Sequence, residues 1–251
     1  MVIRNFKYTA EDVDCQYCTE FRHGRCQVQK CPWLKERIEA GVLSYREAVN
    51  EAFTDPSPLQ ARIKIVLRHY KKSFWRDKIH AQRFDRMQAI LGYYQERNTN
   101  AFYATLFLLS SDEELIRRVA NCFTKKQIDF SKADLRNLSP EQYALYKIAK
   151  CLYTDSAEVS IDEIADPELV NTESFHLVIN AILIYRYGLS ALYLKSEDGV
   201  NGCMQEDTFC GILLQQSESI SYGGIIHIRY KGRRSHLPLS LLSQAPLGFQ
   251  L

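Results

Sequence analysis

No stretch of this 251-residue chain reads as apolar for long enough to be expected to cross a bilayer. The longest, LVINAILIY from Leu177 to Tyr185, falls well short of the roughly 20 residues a spanning helix needs. The opening MVIRNFKYTAEDVD has no apolar core of a secretory leader, so export is not expected. Glycine and proline are scarce, at 11 and 7 residues, which excludes collagenous and low-complexity classes. Also missing are the short patterns that announce common chemistries. There is no phosphate loop ending in Lys-Ser/Thr, no G-x-S-x-G and no H-E-x-x-H, and YGGI and KGRR lack a strand-to-helix setting. His69 and His80 sit on basic stretches without a clear carboxylate partner. Asp77 and His80 in WRDKIH are helix neighbours, but with Arg76 they read as surface pairing and not as a catalytic pair. An enzyme is therefore not expected.

What is present describes a globular, mainly α protein: 46% hydrophobic and 25% charged residues suffice for a core. Four segments match the capping box, in which a serine hydroxyl accepts an amide proton three residues on and an acid or amide reaches back. They are Ser44–Glu47, Ser111–Glu114, Ser139–Gln142 and Ser160–Glu163, the third with Pro140 at the first helical position and Leu138 placed to staple onto Tyr143. Leu59, Ile63, Val66, Leu67, Tyr70 and Phe74 keep the three-four spacing of one buried stripe, which predicts a single helix to about Trp75. Further helices are expected from Asp77 to Tyr94, over NAFYATLFLLS, and from Phe175 to Tyr187, the last apolar almost all round and ended by Gly188.

After Asp198 the texture changes. EDGVNGC reads as a linker. Alternation of Ile226, Ile228 and Tyr230 with His227 and Arg229, then KGRR, then Leu237 and Leu239, predicts a C-terminal β-hairpin with Pro238 on an edge strand. The expected organisation is a metal-stapled segment over 1–55, a helical domain over 56–198, and a linker with β-rich tail over 199–251.

The cysteines are unevenly spread. Four of eight lie between Cys15 and Cys31, as CQYCTEFRHGRCQVQKC, and the others are Cys122, Cys151, Cys203 and Cys210. Without export these thiols sit in the reducing cytoplasm, where a cluster points to metal and not to disulfides. Cys15 and Cys18 have the C-x2-C spacing that lets two thiolates meet one ion across a turn. Cys26 and Cys31 supply the other pair. Four thiolates make a closed tetrahedral zinc site with no open position for substrate, so the ion is a structural staple. The Cys31-Pro32 ending also suits an iron–sulfur cluster, the competing reading, with free buried thiols the third. His23, in the FRHGR turn, is expected to stay exposed with Arg22 and Arg25, because four cysteines complete the coordination.

The charge is segregated. Residues 56–97 carry ten Lys/Arg against three Asp/Glu, a net of +7, whereas residues 153–175 carry seven acids and no base. IIHIRYKGRRSH near the end adds four bases. Two uses follow: the faces pair within the molecule, or a basic surface meets a polyanion. On the second, Arg22, Arg25, Arg68, Lys71, Lys72, Arg233 and Arg234 are the candidate contacts to DNA or RNA, with aromatic residues such as Tyr70 and Trp75 interleaved for stacking. The alternative is an adaptor whose basic face meets an acidic protein. No membrane contact is expected.

The stretch DVDCQYCTEFRHGRCQVQKCPWLKERIEAGVLSYREAV, with SFWRD downstream, resembles uncharacterised proteins carried by conjugative and other mobile elements of gut-dwelling clostridia. The resemblance implies a bacterial cytoplasm and an accessory role, and it assigns no chemistry to any residue.

Overall fold

A computed structural model of the chain describes residues 11–13, 18, 21–22, 25–26, 33–53, 58–68 and 73–195. The described part is mainly helical. Its centre is three helices: α5 (Asn100–Ser110), α7 (Pro140–Thr154) and α9 (Thr172–Tyr187), with α5 packed against both of the others and α7 also meeting α9. The sequence explains the placement. In α5 every residue from Phe102 to Ser110 is buried, and α9 buries most of its middle, so neither has a broad polar face to offer water. α7 is amphipathic and closes the layer with Leu145, Ile148, Ala149 and Leu152.

The ends of these helices are set by local chemistry. Thr99 caps α5 by accepting from the Phe102 amide, and Asn171 caps α9 by accepting from the Ser174 amide. α7 starts with the predicted box at Ser139 and Gln142, with Pro140 in its first turn, and stops at Asp155, whose φ of 57° is left-handed. α9 stops at Gly188, at φ +69°, where a Cβ would lie 2.9 Å from Asn100 Oδ1. The backbone angle favours glycine, whereas the Asn100 amide is the end of an exposed side chain that can swing aside.

Around this centre lie α1 (Leu34–Glu39), α2 (Tyr45–Ala52), α3 (Leu59–Arg68), α4 (Lys78–Leu91), α6 (Glu113–Val119) and α8 (Ile161–Ala165). The boxes at Ser44 and Ser160 form as read from sequence. The one at Ser111 does not. There Asp112 is the cap, accepting from the Leu115 amide, while the Ser111 hydroxyl turns back to the Leu108 carbonyl. A carboxylate one position later is the better acceptor, and Ser111 is buried under the end of α5. Tyr143, expected to hold a staple with Leu138, is 45% exposed.

The single helix expected from Leu59 to Trp75 is also corrected. α3 is described as far as Arg68, and residues 73–77 are non-helical, so the helix does not run on to Trp75. Phe74 is still buried, but it enters the core from this connection and not from a helical stripe. A second correction concerns membrane length. α9 with the 3-10 turn that follows it, Thr172–Tyr193, is long and apolar enough to cross a bilayer, although most of it is buried inside the helical body. The run visible in sequence stops at Tyr185 because Arg186 interrupts it.

Residues 33–53 belong to the same core as the later helices: Ile38, Leu43, Tyr45, Ala48 and Val49 join it. The end of the described chain returns to this region. Lys195 forms a parallel bridge with Ser44, its carbonyl accepting from the Tyr45 amide at 2.9 Å, and its side chain lies over Gly41. The linker and β-hairpin expected over 199–251 lie outside the described residues.

Candidate nucleic-acid interface and cysteine segment

Ten cations made residues 56–97 the candidate interface, and the fold divides them. Four are taken up internally by backbone carbonyls or an acid. Arg62, on α3, donates to the carbonyls of Ile164 (2.9 Å) and Val170 (2.5 Å) and sits 4.3 Å over the Phe175 ring. Arg76 pairs with Glu173 at 3.1 Å. Arg83, on α4, donates to the carbonyls of Ser110 (2.7 Å) and Ser111 (2.9 Å), where α5 runs out of internal donors. Arg97 is 2% exposed and donates to the carbonyls of Leu91, Gly92, Thr124 and Lys125 and to Asn98 Oδ1, over the Phe102 ring.

Four others stay outside. Lys64 and Arg68 on α3, and Lys78 and Arg86 on α4, are exposed and take part in no ion pair among the described residues. Lys71 and Lys72 lie outside the described residues, as do Arg233 and Arg234. Trp75, one of the residues read as a stacking candidate, is partly buried against Phe84, Phe107 and His80. Tyr70 lies outside the described residues.

The acidic stretch 153–175 is answered in part from within the chain. Arg62 and Arg76 reach into it, Lys150 takes Glu158 at 2.8 Å, and Glu163 is engaged by the amide of Ser160.

The trio in WRDKIH resolves into structure. Asp77 is the N-cap of α4 and accepts from the His80 amide at 2.6 Å. His80 has no exposed surface. Its Nδ1 accepts from the Arg76 amide at 3.2 Å and its Nε2–H donates to the Phe107 carbonyl at 2.8 Å. Burial pushes the imidazole down to about 4, so it is neutral and both nitrogens are used. A second buried polar node escaped sequence reading. Asn180, in the apolar heart of α9, accepts from the Tyr45 hydroxyl at 2.7 Å and donates to the Phe74 carbonyl at 2.7 Å. The signal for it was a lone amide inside LVINAILIY, since a buried amide must find partners.

In the cysteine segment, β1 (Phe21–Arg22) pairs antiparallel with β2 (Arg25–Cys26). The register sets Phe21 opposite Cys26 and Arg22 opposite Arg25, so only two residues join the strands, the length of a tight hairpin. Cys18 is half-buried. Cys15, His23 and Cys31 lie outside the described residues. Among the described residues no three His, Cys, Asp or Glu side chains gather as a metal site. Cys122 and Cys151 are free and buried, and burial pushes the Cys122 thiol up to about 11, which makes it inert.

Comparison with protein-family models, with curated proteins and with solved structures returns no match, to an enzyme or to any other protein.

Proposed function

We propose that the chain is a non-catalytic nucleic-acid-binding accessory protein of a bacterial mobile element, working in the cytoplasm, with one structural zinc ion held by Cys15, Cys18, Cys26 and Cys31. The observation that carries the reading is the sorting of the basic segment. After internal carbonyls and Glu173 have taken Arg62, Arg76, Arg83 and Arg97, exposed cations without ion-pair partners among the described residues remain on two successive helices. Such cations gain by displacing the counterions of a phosphate backbone. The hairpin supports the metal reading: it turns the chain after Cys18 back on itself, with Cys26 opposite Phe21, and flanks the turn with Arg22 and Arg25. The mobile-element setting rests on the resemblance alone.

A second reading is an adaptor or structural protein whose basic face meets an acidic protein, with the zinc purely structural. What favours it is that Arg62 and Arg76 already turn to the chain's own acidic stretch.

A salt titration of binding to random-sequence DNA and RNA separates the two. The expected result is affinity that falls with salt. Arg68→Glu with Lys72→Glu should weaken every sequence alike and make the salt slope shallower by about 2. Arg233→Glu with Arg234→Glu should do the same. Absence of salt-sensitive affinity at moderate ionic strength removes nucleic acid and leaves the adaptor. Metal analysis of the same preparation should find about one zinc per chain, whereas a brown protein would replace zinc with an iron–sulfur cluster.

A further inference from the structure

The outer side of α4 has a composition of its own. At 3.6 residues per turn, positions 78, 79, 82, 86, 89 and 90 fall within one arc of about 120°. All six are exposed: Lys78, Ile79, Gln82, Arg86, Ala89 and Ile90. No acid lies among them, and Asp85, just outside the arc, is half-buried. Ile79 and Ile90 are 57% and 68% exposed and stand about 16 Å apart along the axis. Between them, Gln82 and Arg86 are one turn apart, so their side chains leave the helix side by side. Ala89 follows with no side chain long enough to hold a partner away from the backbone. Single exposed isoleucines are ordinary at a surface, so what sets this arc apart is the arginine fork and the amide side by side with no carboxylate in the arc. The opposite side, with His80 and Phe84, is packed inward, and the helix meets α5. The helix is pinned along its length by the Asp77 cap, both nitrogens of His80, and the Arg83 bonds to the end of α5. Arg97 holds the carbonyls at its far end. The arc is thus presented on a rigid element.

Resting on the nucleic-acid reading above, we infer that α4 is a recognition helix that lies in the major groove of duplex DNA, with Gln82 and Arg86 reading base edges and Lys78 on phosphate. The groove is about 12 Å wide and admits one α-helix. An arginine fork matches the two acceptors of guanine, and a glutamine amide matches the donor and acceptor of adenine. The methyl groups of Ala89 and the flanking isoleucines suit the thymine methyl. Charge decides the occupant. The arc carries two cations and no carboxylate, which suits a polyanion. An apolar protein groove would bury Ile79 and Ile90 but leave Arg86 and the Gln82 amide without partners.

The test is selection from a random duplex library with the full chain. Wild type should enrich a motif. Gln82→Ala and Arg86→Ala together should erase or change it, lowering the preference for the selected site over random DNA by about tenfold or more. Salt-sensitive binding to random DNA should persist. Arg68→Glu should instead weaken all sequences and leave the motif intact. Should the double variant misfold by circular dichroism, Gln82→Glu alone must shift the preferred base at one position. If wild type binds DNA but enriches nothing, binds only RNA or single strands, or keeps its motif in the double variant, this inference falls while the nucleic-acid reading stands. No affinity for any nucleic acid overturns both. Self-association abolished by Ile79→Ser with Ile90→Ser, with DNA binding unchanged, would assign the face to a second copy of the chain and also overturn it.

Discussion

Replacing Arg97 with methionine should destabilise the protein by about 3 kcal/mol. The guanidinium is 2% exposed, and no carboxylate among the described residues pairs with it. Its charge is carried by the carbonyls of Leu91 (3.4 Å), Gly92, Thr124 (3.3 Å) and Lys125 (3.3 Å) and by Asn98 Oδ1 (2.8 Å). Methionine keeps the apolar stem over Phe102 and removes every donor. Four stranded carbonyls at about 1 kcal/mol each make a loss of roughly 4 kcal/mol. Relief of the buried charge returns about 1 kcal/mol of it. For a chain of this size that is a fall of roughly 6–12 °C in Tm. Arg97→Lys should fall between, because an ammonium reaches fewer of the carbonyls and has no planar fork. The assay is urea unfolding followed by far-ultraviolet circular dichroism, with the exposed Arg86→Met as control, expected within about 0.5 kcal/mol of wild type. A loss for Arg97→Met no larger than that of the control would refute the reasoning.

Asn180→Leu should cost about 2–4 kcal/mol by stranding the Tyr45 hydroxyl and the Phe74 carbonyl. Adding Tyr45→Phe should then cost less than it does alone, and strict additivity in that double-mutant cycle would count against the node. Stability should also fall as pH drops from about 6.5 to 4. His80 is held neutral down to about 4 by burial while the unfolded chain takes up its proton near 6.5, a loss of about 3 kcal/mol by pH 4. His176, likewise lowered to about 4 by burial, acts in the same direction. Asp85 opposes both, since burial raises its carboxyl to about 6 and its protonation stabilises the fold as pH falls through that range. Asp85→Asn should therefore raise stability at pH 8, by about 1 kcal/mol after allowance for its partial exposure. It should also steepen the acid loss, and a flat profile between pH 7 and 4.5 would sink the scheme.

Local signals were legible because their causes are local. Ser44, Ser139 and Ser160 sit three residues from the groups they bond, and Gly188 ends α9 for a reason visible in its own backbone. The misreadings came from competition and distance. Ser111 lost its cap to Asp112, one position away, because burial turned its hydroxyl inward. Phe74 kept helical spacing by coincidence and reached the core from a connection. The basic segment was legible as a net charge but not as a surface. Arg62 bonds to carbonyls more than 100 residues away, and Arg83 and Arg97 meet carbonyls 27 and 28 residues off, at places that no local pattern marks. Of the candidate contacts among the described residues, Arg68 has an exposed side chain, and the hairpin fixes the backbone pairing of Arg22 with Arg25.

The bridge between Ser44 and Lys195 sets a tethering geometry. α1 packs on the turn just before Lys195, so the chain preceding α1 and the chain following Lys195 join the helical body at neighbouring points. The sequence before α1 holds the clustered thiols and FRHGR, and the sequence after Lys195 holds RYKGRR. On the nucleic-acid reading proposed above, a polymer held by the residues on one side would be brought to those on the other at a local concentration on the order of millimolar. On that reading, removing either set of residues should cost more affinity than that set shows by itself.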